Sequence, residues 1–323
     1  LNFPETGERA IEVDPRWVEP DYLDLLLDLG FNRFSFGVQD LDPEVQNNIN
    51  RVLSFERLTT IVSQLQSRGM KSVNLDLIYG LPGQTPESFA NTVDRTISLA
   101  PSRLAVFGYA HVPWVSPHQK KMEHLDIPGA ELRMELFGIA FDRLLGAGYK
   151  HVGFDHFARP DDELITALES RTLNRNFMGY TTRKGLDLVG MGASGISSVG
   201  YTYAQNEKEI GDYIGKPGQS RWARGFLTSG EDILRRDVIM DLLCNFHLDI
   251  NRVEGEFSID FSEHFASEIE NLQGFVDDGL LKLAEDEICV TRLGRYFVRN
   301  IAMAFDVYLH GEADKTQRYS KTI

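Results

Sequence analysis

An α/β fold with parallel strands, followed by a mostly helical C-terminal region, is what this sequence predicts. Three observations carry that expectation. Strand-like and helix-like stretches alternate from about residue 10 to residue 110 with no hairpin signal between them, the pattern of parallel strands joined by right-handed crossovers. Four of the strand-like stretches end in polar groups, at Glu12, Gln39, Asp76 and the segment Tyr109-Ala110-His111. In a parallel sheet all four ends open on the same edge, where such folds hold their ligands. From Asp232 onward the apolar spacing turns helical.

The stretch 71–89, KSVNLDLIYGLPGQTPESF, organises the rest. Val73, Leu75, Leu77 and Ile78 form an apolar run of strand length, expected to be covered on both faces. Gly80 and Leu81-Pro82-Gly83 break it. Thr85 is then placed to cap a helix, with Pro86 in its first position. Asp76 interrupts the run, and an unpaired carboxylate there would cost roughly several kcal/mol or take up a proton. Two readings remain open for it: a ligand-facing carboxylate at the strand's polar end, or a satisfied aspartate capping its own turn.

Around that stretch the elements follow in order. Residues 10–15 read as a short strand, 20–30 as a helix stopped by Gly30, and 33–40 as a strand. Helices are expected at about 43–49 and 54–68, then the strand 73–79, a helix at 86–99 and a strand at 103–110. A loop at 112–127 precedes a helix over 129–147 and a strand at 149–154. The glycine-rich segment 155–230 reads as irregular. Helices at 232–244 and 262–278, a short hairpin within 280–290 and a helix at 292–309 close the chain, a grouping similar to a winged-helix unit.

Composition bounds the function. The 323 residues are 42% hydrophobic and 25% charged, as in globular proteins. A net charge of −15 argues against nucleic acid or an anionic membrane as partner. No apolar run approaches the ~18 residues of a membrane span, and no signal-peptide pattern opens the chain. The two cysteines, Cys244 and Cys289, sit far apart in apolar stretches and read as buried thiols of a cytoplasmic protein.

Several motifs have competing readings. Gly190, Gly192 and Gly195 carry dinucleotide-fingerprint spacing, but Ile196-Ser197-Ser198-Val199 is a poor helix, so a loop pressed against a ligand or other backbone fits better. His111, His118, His124, His151 and His156, with Asp76 and Glu12, would suit a metal-dependent barrel hydrolase, yet their spacing is scattered. The wing-like C-terminal unit is too acidic for DNA. Arg51, a dozen residues past Gln39, could reach the strand-end site and grip a carboxylate, or lie solvated in its loop.

Ten words of the chain occur in the order of a known family: IEVDPR (11–16), GFNRFSFGVQD (30–40), NLDLIYGLPGQTPESF (74–89), FGYAHVP (107–113), GFDHFARPDDEL (153–164), RNFMGYTT (175–182), GMGASGISSVG (190–200), YAQN (203–206), RRDVIMDLLCNF (235–246) and FDVYL (305–309). Together they resemble the oxygen-independent coproporphyrinogen III oxidases, radical S-adenosylmethionine enzymes of haem synthesis. The related haem-chaperone branch shares the earlier words, whereas GFDHFARPDDEL and RNFMGYTT resemble the oxidase branch.

The resemblance implies a partial (β/α)6 barrel over 1–155, an active-site cover over 156–230 and a helical C-terminal domain with a small β-wing over 231–323. It implies two S-adenosylmethionine molecules in the barrel mouth and a 4Fe–4S cluster on a CxxxCxxC motif. Reductive cleavage then yields a 5′-deoxyadenosyl radical, and two propionates of coproporphyrinogen III become vinyl groups of protoporphyrinogen IX. Carried over by position, the S-adenosylmethionine contacts fall on Glu12, Gln39, Arg51, Asp76, Ala110 and Ile196. Arg159, Arg175 and Arg236 are candidates for the substrate's carboxylates, with ordinary ion pairing as their alternative. The implied partners are the porphyrinogen and an electron donor the sequence does not identify, with no nucleic acid and no membrane, and the protein acting as a monomer.

Two departures stand out. Met178 occupies a position where the family commonly has Gln. The CxxxCxxC motif and the first two barrel strands have no counterpart, so this chain reads as beginning near the family's third barrel strand, without metal ligands of its own. It is therefore expected neither to hold the cluster nor to turn over substrate by itself. The rivals are a non-catalytic S-adenosylmethionine- or haem-handling protein and the barrel hydrolase.

Overall fold

The computed structural model describes residue 4 and residues 7–310, and the chain divides into two compact units between Ile165 and Thr166. In the first unit, Ala10–Val13 (β1) is followed by the helix Pro20–Asp28 (α1) and by Arg33–Gln39 (β2). Helices Pro43–Asn48 (α2) and Phe55–Ser67 (α3) lead to Val73–Tyr79 (β3), then Pro86–Ser98 (α4) and Arg103–Gly108 (β4). The expected strand–helix alternation is thus present, and β1 to β4 are hydrogen-bonded in that order and all parallel. The helix starts follow local chemistry. Asp42 and Ser54 cap α2 and α3, while Thr85 and Ser88 exchange hydrogen bonds in a capping box with Pro86 behind them.

β2 and β3 alternate strictly, which corrects the expectation of a strand covered on both faces. Val73, Leu75, Leu77 and Tyr79 are buried, whereas Asn74, Asp76 and Ile78 are only half-buried. In β2 the buried set is Phe34, Phe36 and Val38, and the half-buried set is Arg33, Ser35, Gly37 and Gln39. Large apolar side chains therefore dominate one face, and polar or small ones, with Ile78 among them, the other. The apolar face belongs to a core that includes Leu58, Ile61 and Leu65 of α3 and Phe89 and Val93 of α4.

Beyond Ala130–Gly146 (α5), the strands Lys150–Gly153 (β5) and His156–Ala158 (β6) form a hairpin the sequence reading missed. β6 pairs antiparallel with β4, giving the order β1-β2-β3-β4-β6-β5, so the sheet is not parallel throughout. The reversal turns on Phe154 in the left-handed region (φ 43°). It is held by Phe157, fully buried, whose ring meets those of Phe141 and His151.

Glu163–Glu169 (α6) spans the division. In the second unit, Asn174–Asn176 (β7) and Gly179–Thr181 (β8) form a hairpin. Ile196–Val199 (β9), Thr202–Asn206 (β10) and, after Ile210–Gly215 (α7), Trp222–Leu227 (β11) form an antiparallel sheet in the order β11-β10-β9. The segment 155–230 is therefore built of short strands and two short α-helices, not irregular. Its strands lack buried alternation, and every residue of β11 is exposed, so no periodicity announced them.

Gly230–Asn245 (α8), capped by Ser229, begins the expected helical region. His247–Asp249 (β12), Ile250–Phe257 (α9), Phe261–His264 (α10) and Ala266–Asp277 (α11) follow, and then the hairpin of Leu281–Leu283 (β13) and Glu287–Val290 (β14). β12 completes a three-stranded sheet, β12-β14-β13. The single closing helix expected at 292–309 is instead a 3-10 turn followed by Val298–Met303 (α12) and Val307–His310 (α13). The break buries Phe305 fully against Phe261 and Phe265. No helix among the described residues is long and apolar enough to cross a membrane.

Candidate functional site

One face of β1–β3, half-buried in β2 and β3 and exposed at Glu12 of β1, gathers polar groups toward the carboxyl ends of the strands. Asp76 lies opposite Gly37 of β2, one step beyond the row in which Glu12 faces Ser35 and Ser35 faces Asn74. Asn74 Nδ2 donates to Asp76 Oδ1 at 2.7 Å and Ser35 Oγ to Asp76 Oδ2 at 3.2 Å, while Asn74 Nδ2 also reaches Ser35 Oγ at 2.9 Å. Burial pushes the Asp76 carboxyl up to about 6, the two hydrogen bonds oppose that shift, and the charge of Glu12 adds to it. Asp76 caps no turn. It is a positioned carboxylate whose neighbours hold it from one side.

At the end of β2 the ladder slips: Gly37 pairs with Asp76 but Gln39 with Leu77, leaving Val38 as an extra residue. Gln39 takes a left-handed conformation (φ 68°), and its side chain folds back so that a Cβ on Gly37 would lie 2.5 Å from its Nε2 and 3.1 Å from Arg51 Nη2. Arg51 donates to the Gly37 carbonyl at 2.9 Å and lies 3.5 Å from the Asp14 carboxylate. Its loop is pinned by Gln46, whose amide bonds Asp40 O, Leu53 O and Leu53 N. Burial lowers the pKa of the Arg51 guanidinium, and Asp14 opposes this; Asp14 itself is held low, chiefly by its hydrogen bond with Arg16. Gln39, Arg51 and Gly37 thus form one group, with Asp76 on the neighbouring strand.

Past β4, Gln119 clamps the segment carrying Ala110: its Nε2 donates to Ala110 O at 3.0 Å and its Oε1 accepts from Val112 N at 2.6 Å. Sequence reasoning missed Ser35, Asn74 and Gln119. For the first two a signal existed, because Ser35, Gly37 and Gln39 alternate, as do Asn74 and Asp76, with large apolar residues. Gln119 gave none, since its role depends on a loop closure.

Arg159 lies elsewhere. Its backbone N–H meets Ser102 O at 3.0 Å, so it sits where β4 begins, at the sheet edge opposite Ala110, and its half-exposed side chain faces Asp161 at 3.8 Å. That placement separates it from the strand-end group, and its pairing with Asp161 matches the ion-pair alternative.

In the second unit, Ile196 starts β9, and a Cβ on Gly190 would fall 2.6 Å from Ile196 N. The glycines therefore let backbone approach backbone, and a strand follows them where a dinucleotide fingerprint needs a helix. Arg175 stacks over Tyr180, and Arg236 donates to Tyr203 Oη at 2.7 Å on the wall of a cavity of about 220 Å³. Met178 is 77% exposed.

The histidines of the hydrolase reading do not converge: His111 meets Tyr109, His151 meets Phe154 O, and the ring of His156 meets that of Phe107. Among the described residues, three ligand-type groups come together only at His247, Glu287 and Cys289. There His247 Nε2 already contacts Glu287 at 2.8 Å and Arg171 Nη1 at 3.1 Å.

The strand-end group fits S-adenosylmethionine. Asp76, Glu12 and Gln39 offer acceptors for hydroxyls and an ammonium, Arg51 offers a fork for a carboxylate, and Arg51 Nε and Asn74 Oδ1 are buried without hydrogen-bond partners among the described residues. A 4Fe–4S cluster does not fit this chain. It needs clustered thiolates, whereas Cys244 is pushed up to about 12 by burial and Cys289 is raised by burial and by Glu287.

Residues 4–96 match the Radical SAM superfamily and residues 228–297 the HemN C-terminal domain, so the class is that of radical S-adenosylmethionine proteins. The chain is 45% identical over its whole length to the oxygen-independent coproporphyrinogen III oxidase of Salmonella typhimurium, covering 71% of that protein. It is 41% identical to the one of Thermostichus vulcanus, covering 98% of each chain. The solved structure of the Escherichia coli coproporphyrinogen III oxidase, a radical SAM enzyme, matches 95% of this chain and 71% of its own at a TM-score of 0.91 and 44% identity. This chain belongs to the oxygen-independent coproporphyrinogen III oxidase family.

Proposed function

We propose that the protein serves the oxidative decarboxylation of coproporphyrinogen III in haem biosynthesis, binding S-adenosylmethionine at the carboxyl ends of β1–β4. The observation that carries this is the grouping of Glu12, Gln39, Arg51 and Asp76 on one strand edge, in a chain whose whole length aligns with part of a named oxidase. S-adenosylmethionine, reduced by an iron–sulfur cluster, supplies the oxidising power that removes hydrogen from a propionate side chain. The chain's own residues bind and orient. Asp76, fixed by Ser35 and Asn74, accepts from ligand hydroxyl or ammonium groups, and Gln39 closes over Gly37 beside it. Arg51, backed by Asp14, grips the methionine carboxylate, and Gln119 holds the Ala110 backbone in place. For Ile196 the proposal rests on the family resemblance alone. In the second unit, Arg175 and Arg236 are proposed contacts for propionates.

Two free thiols suit a reducing, cytoplasmic setting. A charge of −15 disfavours nucleic acid as a partner. An external electron donor and a monomeric state complete the reading. Among the described residues, no three ligand-type groups converge on this edge to support the hydrolase rival. Calorimetric titration of the 323-residue chain with S-adenosylmethionine, and anaerobically with coproporphyrinogen III, tests the reading. Saturable binding of both supports it, and binding of neither overturns it.

A further inference from the structure

Arg133, in the first turns of α5, lies over the strand ends of β3 and β4. A Cβ on Gly80, which follows β3 with φ +82°, would fall 3.2 Å from Arg133 Cγ and Nε. One on Gly108, the last residue of β4, would fall 3.1 Å from Arg133 Nη2 and 2.9 Å from Tyr79 Oη. Two glycines thus leave room for one guanidinium, whose carbon sits 6.0 Å from the Tyr79 ring centroid. Arg133 Nε is buried, and among the described residues it has no hydrogen-bond partner. No carboxylate among them pairs with this arginine.

Among the described residues Arg133 stays without a carboxylate partner, although the chain carries 48 acidic and 33 basic side chains. At the same strand edge, Arg16 and Arg51 already share Asp14. A guanidinium with a desolvated nitrogen and no counter-ion is poised for an incoming carboxylate. The substrate class proposed above carries four carboxylates and approaches a protein of like overall charge. Its binding therefore depends on cations that no protein acid has neutralised.

We propose that Arg133 is a substrate-binding residue that takes one propionate carboxylate of the porphyrinogen at the ends of β3 and β4. The proposal rests on the functional reading above. Arg133 makes its contact through Nη1 or Nη2, with Gly80 and Gly108 keeping the guanidinium close to the backbone and Tyr79 backing it. Replacing either glycine would displace the fork.

The test is anaerobic equilibrium titration of the 323-residue chain and its Arg133→Met and Arg133→Lys variants. The ligands are coproporphyrinogen III, its uncharged tetramethyl ester and, separately, S-adenosylmethionine. Losing one charged fork is expected to weaken binding of the free acid about tenfold or more in Arg133→Met, and less in Arg133→Lys. Ester affinity, S-adenosylmethionine affinity and the thermal midpoint should stay near wild type. Equal weakening for acid and ester indicates a packing role and overturns the proposal. A fall in S-adenosylmethionine affinity with porphyrinogen affinity unchanged assigns the fork to the other ligand's carboxylate, and also overturns it. Unchanged affinity of Arg133→Met for the free acid overturns it while leaving the functional reading intact. Failure of the wild-type chain to bind porphyrinogen overturns both.

Discussion

Arg103 and Asp162 form a two-pronged ion pair, Nε to Oδ2 at 2.7 Å and Nη2 to Oδ1 at 2.8 Å, with 4% and 8% of the side chains exposed. Arg103 begins β4, and Asp162 also accepts from Leu164 N at the entry to α6. The pair ties the strand to the start of the helix at the sheet edge away from Ala110. Asp162→Ala leaves a buried guanidinium with only the exposed Glu163 beside it, and should destabilise the fold by about 3–5 kcal/mol. Urea unfolding should show a lower midpoint with an unchanged slope, while S-adenosylmethionine affinity of the folded protein holds.

Gly37→Ala tests the opposite edge. The added methyl meets the far end of the Gln39 side chain, which can swing away, so the thermal midpoint should move by no more than a few degrees. The displaced amide and the crowded Arg51 fork leave the ligand position, and S-adenosylmethionine affinity should fall about tenfold. Unchanged calorimetric affinity would remove Gln39 from the site.

The carboxyl of Asp76 holds its proton more tightly in the folded chain, at about 6 against 3.8 unfolded. The folded state therefore binds the extra proton between these values, and stability falls as pH rises from about 4 to about 6. The neutral-pH penalty is roughly 3 kcal/mol at most. Asp76→Asn should flatten that slope and raise the neutral-pH midpoint while weakening S-adenosylmethionine binding. In the wild type, binding below pH 6 should release a proton, visible as a dependence of the calorimetric heat on buffer ionisation enthalpy.

Anaerobic reconstitution of the 323-residue chain with iron and sulfide should leave no stable absorbance near 400 nm and no reductant-dependent 5′-deoxyadenosine. Its two thiols lie in separate segments, and both are raised in pKa. A stable cluster would show that the chain assembles ligands the structure does not bring together.

The parallel half of the first sheet was legible because each strand, turn and helix cap there is local: Thr85, Pro86 and Gly80 announce their roles within a few residues. Asp76 was visible as a charge in an apolar run, yet the run was misjudged as buried on both faces. Ile78, half-buried on the same face as Asp76, masked the alternation. The β5–β6 reversal was not legible, since it depends on Phe157 finding Phe141, a contact between distant residues. Arg51 could be named but not placed, because its reach to Gly37 depends on Gln46 folding the loop between them. Strands β9 to β11 of the second unit had no buried stripe to reveal them, whereas the β13–β14 hairpin, with its alternating β14, was legible.

The extra residue at Val38 sets the phase of everything after it. With it, Gln39 returns over Gly37, and Asp40, fully buried, receives hydrogen bonds from Gln84 at 2.5 Å and Thr92 at 2.7 Å. Deleting one residue here would exchange the two, sending an amide into the core and the carboxylate to the ligand side. The length of this strand is consequently a tighter constraint than most of its side chains. Among related sequences, insertions and deletions should avoid the interval 33–40 even where substitutions within it are accepted.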